Sequence, residues 1–468
     1  ADQVNIEGNL ELNKRFQSFG EVLFAGAKIG GKFDCEKGKF NHPNGIALLA
    51  DAIDVRGSVF LTNGFCANGQ VRLVGATIGR NLNCKAGKFN NPKADENNGI
   101  ALSADGISVG GTLFLTDKFD AKGEVRLTRA SIGNNLDCGN GAFNNSGGTA
   151  LSAIGVDVKG DVFLRQGFSA EGMVNLSRAS IGGVLGCQKA KKVSLNLEFA
   201  KIQNLKLGEK NSWTEKGKLR LNGLVYESID IEASDISQRQ NKKPTWFNGC
   251  FHKAEPVELY WLRHQYSEKV DRSQFLPQPY EQLAKVLKAH GKESEAIQVL
   301  IGKEDDQRQY DGLNPLSKCW NRFLGLAIGH GYQPERSVVA ALCWVGLGWG
   351  VFHCGYSHKL ISPTTDSFMS NQSKPTLDQI QQIDAHPNYP KFNPLIYSLD
   401  TFLPVVDLRL ESYWLPNANS PNLDREEPIL LVKSGAWVRY YLWIHILMGW
   451  ILTSLIVASF SGLVRSSK

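Results

Sequence analysis

IGNNLDC, Ile132–Cys138, is one of four such segments: IGGKFDC (Ile29–Cys35), IGRNLNC (Ile78–Cys84) and IGGVLGC (Ile181–Cys187) repeat its pattern. The likeness extends outward. FCANGQVRLVGATIGRNLNCKAGKFNNP is answered by FDAKGEVRLTRASIGNNLDCGNGAFNNS and by FSAEGMVNLSRASIGGVLGC. Matching Val22, Val71, Val125 and Val174 gives periods of 49, 54 and 49 residues; the cysteines give the same three, and the five extra residues fall in the loop NNPKADENNG. A fixed period of this size marks a repeat architecture. Each period has two similar halves, V-R-L-x-x-A-x-I-G-x-x-L-x-C-x-x-G-x-F and A-L-x-A-x-x-x-x-V-x-G-x-V-F-L-x-x-x-F. Two halves predict two coils of roughly 25 residues each.

Short apolar runs between glycine turns suit a parallel β-helix, whose inward side chains stack coil on coil while the backbones pair. Small residues (Ala76, Ala130, Ala179) recur beside larger ones (Ile78, Ile132, Ile181), as such stacking requires. ASIGNNLDC approaches pentapeptide-repeat spacing without keeping its strict register, so the predicted fold is a β-solenoid. VNIEGNLEL at the start aligns with ISVGGTLFL (Ile107–Leu115), and VSLNLEFAKIQNLKL and KLRLNGLVYESIDI read as degenerate coils to about Ile231. Atypical terminal coils are expected to cap the stack.

The cysteine ladder is a matter of distance. Two coils at about 4.8 Å place equivalent thiols about 10 Å apart. That exceeds the roughly 4.4–6.8 Å Cα separation of a disulfide and the roughly 2.3 Å of a Zn–S bond. The predicted role of Cys35, Cys84, Cys138 and Cys187 is core packing, beside Ile132 and Leu136 and their equivalents.

After a polar linker, QRQNKKPTWFNG, the pattern turns helical. QPYEQLAKVLKAHGKESEAIQVLIGKEDDQR sets Leu283, Val286 and Leu287 on one stripe, stops at Gly291 and resumes with Ala296, Val299 and Leu300, an αα-hairpin expected to pack on its own domain. Asp305 and Asp306 read as a solvated helix end. SVVAALCWVGLGWGVFHCGY (337–356) and YYLWIHILMGWILTSLIVASFSGLV (440–464) carry no formal charge. A bilayer core of about 30 Å needs about 20 apolar residues, so both qualify as transmembrane helices. The first is glycine-rich, and a buried or re-entrant helix is its alternative. Trp437, Tyr440, Tyr441 and Trp443 suit an interfacial belt; Arg322 and Arg336 before the first helix, with Arg465 and Lys468 after the second, put both ends on the cytoplasmic side. Gly346, Gly348, Gly350 and Gly449 would allow close helix contact. Between the helices, NPLIYSLDTFLPVVDLRLESYWLP is broken by Pro394, Pro404 and Pro416 and reads as an interfacial or partner-facing segment.

The organisation is thus a β-solenoid over 1–235, a linker and αα-hairpin connector over 236–316, and a membrane region over 317–468, with helices 337–356 and 440–464 flanking an external segment 357–439. His353 and His445 would lie at similar depth in an antiparallel hairpin, where two imidazoles suit a haem or a metal. The plainer reading, and the one preferred, places both at headgroup level as polar-tipped aromatic residues, with no cofactor. GHGYQPERS lacks the Lys and Ser/Thr of a P-loop, HCGYSH is no selectivity filter, and HExxH, GxSxG and GxGxxG are absent, so the chain does not read as an enzyme. A charge of +6 over 468 residues without a basic tract gives no sign of nucleic-acid binding. Nine cysteines without a CxxC pair point to free thiols in a reducing compartment. The polar opening ADQVNIEGNL is no signal peptide, so the solenoid is read as cytoplasmic.

The repeats with IGxNLxC and VFL, together with QPYEQLAKVLKAHGKESEA, YSLDTFLPVVDL and GWILTSLIVASFSGLV, resemble bacterial membrane proteins commonly labelled membrane-associated oxidoreductase, over nearly the whole chain. That label implies a redox centre, for which no motif offers a place. The solenoid half is also similar to pentapeptide-repeat and bactofilin-type β-helices, which generally act as scaffolds. The expectation is a scaffold or accessory subunit in a bacterial inner (cytoplasmic or intracytoplasmic) membrane, associating with other membrane subunits or with itself. An oligomeric channel with a solenoid sensor and a haem- or metal-binding redox subunit are the alternatives.

Overall fold

The computed structural model describes residues 3–92, 99–188, 190, 193–209, 214–232, 255–267, 275–364, 389–417 and 436–461. The polar linker, Cys250, Arg465, Lys468 and most of NNPKADENNG lie outside them. The chain divides into two units, Ala1–Gly312 and Leu313–Lys468.

The first unit begins as the expected parallel β-solenoid. One coil runs through Asp54–Val55, Val59–Phe60 and Cys66–Arg72. The next lies on it in register, Thr77–Ile78 on Asp54–Val55 and Leu82–Asn83 on Val59–Phe60. Lys88–Asn90 and Ile100–Ser103 then take the two halves of Cys66–Arg72, so each coil has four short sides. The bend between those halves falls at Gly69, where φ is +121°. A Cβ there would stand 2.3 Å from the His42 carbonyl oxygen of the preceding coil. The columns run from Asn5–Ile6 to Val225–Ile231, and pairing is parallel throughout.

In two of the inward columns, side chains alternate in size from coil to coil. Along one column Ala27, Ile53, Ala76, Ile107, Ala130, Val156 and Ala179 follow one another, joined by bonds such as Thr77 N–H to the Ile53 carbonyl and Ser108 N–H to the Ala76 carbonyl. In a second column Cys35, Leu61, Cys84, Leu115, Cys138 and Leu164 alternate likewise, all buried. A leucine therefore separates successive thiols, as the two-coil period requires, and small layers sit between large ones so that side chains interdigitate. A third column contains one phenylalanine per coil: Phe16, Phe40, Phe65, Phe89, Phe119, Phe143 and Phe168. Neighbouring rings along it lie 5.1–5.3 Å apart, tilted by 40–45°. This spacing is within the favourable range for aromatic pairs.

Three helices close the last coil: α1 (Val257–Leu262), α2 (Gln278–Ala289) and α3 (Glu293–Tyr310). The αα-hairpin is as expected, with Leu283, Val286, Leu287, Ala296, Val299 and Leu300 buried. The Gln278 side chain accepts from the Gly223 N–H and donates to the Leu224 carbonyl, while Gln282 donates to the Tyr226 carbonyl. Side-chain amides thus satisfy backbone groups that a further coil would otherwise pair.

Asp306 corrects the reading of a solvated end. It is buried, accepting from Arg263 Nε at 2.7 Å and from the Tyr280 hydroxyl at 2.8 Å, and it clasps the three helices together. Burial pushes its carboxyl pKa up, against the pull of Arg263. Only Asp305, paired with Arg308 on the same helix, is solvated.

The second unit contains α4 (Pro315–Ile328), α5 (Pro334–Ser357), α6 (Pro394–Phe402) and α7 (Ala436–Phe460). It also has a short antiparallel pair, Ile361–Pro363 with Trp414–Pro416. Helix α4 was not expected. Asn314 caps it by accepting from the Ser317 N–H, and Gly329, at φ +53°, ends it. Helices α5 and α7 are long and apolar enough to cross a membrane, with mean hydropathy 1.6 and 1.9 over their apolar windows. Only 22% and 28% of those windows is buried, unlike the mostly buried core helix of a soluble protein.

Candidate functional site

The second unit holds a buried polar seam between α5, α6 and α7. Helix α6 opens at Asn393, whose side-chain oxygen accepts from the Leu395 and Ile396 N–H groups, with Pro394 in the first turn. Before it, Phe392 stacks on Tyr356 near the end of α5, ring centroids 4.6 Å apart. At its other end Phe402 packs with Val345 and Leu452, near the middles of α5 and α7. The segment expected to lie outside the hairpin therefore enters it. Chain direction then reverses. Asp400, buried, accepts from the Leu408 N–H at 2.6 Å and the Glu411 N–H at 2.8 Å, tying the return loop to the helix it has just left. Tyr389 and Trp414 hold the mouth, the Tyr389 hydroxyl donating to the Tyr413 carbonyl and Trp414 Nε1 to the Pro390 carbonyl.

Two glycines make room for this. A Cβ on Gly449 would lie 2.0 Å from the Phe402 carbonyl oxygen, and one on Gly348 would lie 2.3 Å from Ser398 Oγ and 2.5 Å from His445 Cε1. Gly346 and Gly350 have nothing within 4 Å of a Cβ position. The expected small-residue contact is thus confined to Gly348 and Gly449, and what approaches them includes α6, through Ser398 and Phe402.

His445, fully buried, lies at the centre. Its Nε2 is 3.1 Å from the Ser398 carbonyl oxygen and 3.3 Å from Ser398 Oγ; its Nδ1 is 3.2 Å from the Tyr441 hydroxyl. Ser398 Oγ is also 2.8 Å from the Val345 carbonyl. One proton assignment satisfies all four groups: Tyr441 donates to Nδ1, Nε2–H donates to the Ser398 carbonyl, and the Ser398 hydroxyl donates to Val345. Phe352, Phe402 and Trp344 enclose the imidazole. A Ser–His nucleophilic pair needs Nε2 as acceptor and an approach for substrate. In that assignment Nε2 is a donor, and Ser398 is fully buried; the bonds of the seam join α5, α6 and α7.

His353 is not brought to His445. It lies on the exposed side of α5, its ring beside Trp349, whereas its neighbour Phe352 is the residue that meets His445. As placed, the two imidazoles do not fit a haem clamp, since both His445 nitrogens are occupied within the seam. Among the described residues no three His, Cys, Asp or Glu side chains group as metal ligands.

The thiols Cys35, Cys84 and Cys138 sit in the solenoid core, and burial raises their pKa values; that of Cys187 is pushed up to about 12. They pack as protonated, inert side chains. In the first unit, a cleft of about 360 Å³ is lined by Tyr260, Arg263, Tyr266 and Tyr310, with Arg263 already held by Asp306 and Glu255. Tyr441, expected in the interfacial belt, instead turns its hydroxyl to His445 within the seam; Ser398 and Asp400 carry no sequence signal of their own, and Asn393-Pro394 is the local sign of α6.

No family model, curated protein or solved structure matches this chain significantly.

Proposed function

We propose that this chain is a membrane-anchored scaffold, with the second unit embedded in the bilayer and the solenoid serving as a rigid protein-binding surface in a larger membrane complex. The observation that carries this is the outer surface of the long helices. Leu342, Leu347 and Trp349 on α5, and Trp443, Leu447, Trp450 and Phe460 on α7, are all exposed. Large apolar side chains in such number suit lipid, with Tyr440 and Trp443 at one interface. The same chain carries a close-packed stack whose long parallel faces suit protein binding rather than chemistry. Residence in a bacterial inner membrane with the solenoid on the cytoplasmic side completes the reading, Arg322 and Arg336 marking the cytoplasmic end of the first long helix by the positive-inside rule.

Capture of the tagged full chain from native membranes in mild detergent, with identification of what accompanies it, is the test. Other protein chains in fixed ratio, lost when outward solenoid side chains are changed, are expected. Recovery free of any other protein would sink the scaffold reading.

A further inference from the structure

The return loop Leu403–Glu411 exposes apolar and charged side chains together. Val405 is 91% exposed, and Val406 and Leu408 are exposed beside it. Asp407, Arg409 and Glu411 are exposed among them. Asp407 accepts from the Arg409 N–H at 2.8 Å. Among the described residues no carboxylate pairs with the Arg409 guanidinium, and the buried Tyr397 hydroxyl has no hydrogen-bond partner. Depth gives these facts their weight. The loop leaves α6 at Phe402, against Gly449 near the middle of α7; Asp400 of α6 then holds its Leu408 and Glu411 N–H groups, and Leu410 belongs to the buried cluster that includes Phe352 and Leu442. It therefore runs between the helix midpoints and their shared end. If the unit spans the bilayer, as proposed above and as this inference requires, irregular backbone with charges of both signs lies at hydrocarbon depth. Such backbone is tolerated only against protein or water.

We propose that the loop is a self-association surface on which a second copy of this chain packs across a twofold axis, Arg409 of each copy facing Glu411 of the other, with Val405 and Val406 between them. Charge complementarity selects this occupant. Opposite charges two residues apart on one loop become complementary to themselves under a twofold rotation, so one patch serves both copies. The apolar tip would form the dry centre and the ion pairs its flanks, removing unpaired charge from lipid.

The test is cysteine cross-linking of the full chain in native membranes, using Val405→Cys and a short bifunctional maleimide, with the wild-type chain as control for its own thiols. A dimer formed by Val405→Cys and absent from the wild type is expected. Adding Arg409→Glu should lower its yield about tenfold, and adding Glu411→Arg to that variant should restore it. If Val405→Cys gives no dimer while the chain resists alkaline carbonate, the second copy is wrong and the membrane reading stands. Rapid labelling of Val405→Cys by a membrane-impermeant maleimide would mean a water-lined loop and would also overturn the proposal. Release of the wild-type chain by carbonate would overturn instead the membrane reading on which it rests.

Discussion

Phe89 in the solenoid has Phe65 on one side and Phe119 on the other, and the other core columns likewise repeat from coil to coil. His445, between the apolar helices, meets Tyr441, Ser398, Phe352 and Phe402 in an arrangement that does not repeat along the helices. The first arrangement spreads cohesion over many equivalent contacts, so each coil depends on its two neighbours and little else. The second concentrates it where α6 crosses Gly348 and Gly449. Damage should therefore stay local and graded in one unit and be all-or-none in the other.

The hardest test of the graded side is Phe119→Ala, which leaves a ring-sized gap between two neighbours and should cost about 3–5 kcal/mol in denaturant unfolding followed by the β-sheet signal. Phe16, half-buried and with a ring neighbour on one side only, should cost clearly less. Equal costs would break the column picture. On the concentrated side, Gly449→Ala must displace the Phe402 carbonyl and should cost about 1–3 kcal/mol, seen as protease cleavage near α6 in detergent, whereas Gly350→Ala should be silent. If both are silent, α6 is not wedged as described.

Asp306→Asn keeps an acceptor for Tyr280 but weakens the hold on Arg263, and should cost about 1–3 kcal/mol by thermal unfolding. The smallest effects concern thiols. Cys138→Ser places a hydroxyl in an apolar column, at about 1–2 kcal/mol by the same denaturant titration. In the native chain Cys187, with its pKa pushed up to about 12, should stay unlabelled by maleimide at pH 9. Roughly a thousandth of it is thiolate there. Exposed Cys319 should react at once.

What could be read in advance divides along the same line. The two-coil period was legible because inward residues must repeat when coils stack, and Cys138 among them reads as packing once the distance between coils is considered. The four-sided shape was not. Its corners place Ala52 and Ala86 at φ +52°, a left-handed turn conformation that those residues do not advertise. The phenylalanine column was available in the recurring final F of each half-period but carried no weight until its rings stacked. In the helical unit, lack of charge revealed α5 and α7, whereas Pro394 read as a break when it is in fact the first turn of α6. Asp306 was misjudged because Arg263, which buries it, is distant in sequence. Contacts made once, between elements far apart, leave no periodic trace.

The alternation of small and large inward residues gives the stack a parity. Removing a single coil would set Ala76 against Ala130, or Ile53 against Ile107, leaving a void or a collision; removing or duplicating a pair would preserve every facing layer. The solenoid can therefore lengthen or shorten only in even steps, and its natural ruler is the pair of coils, not the coil.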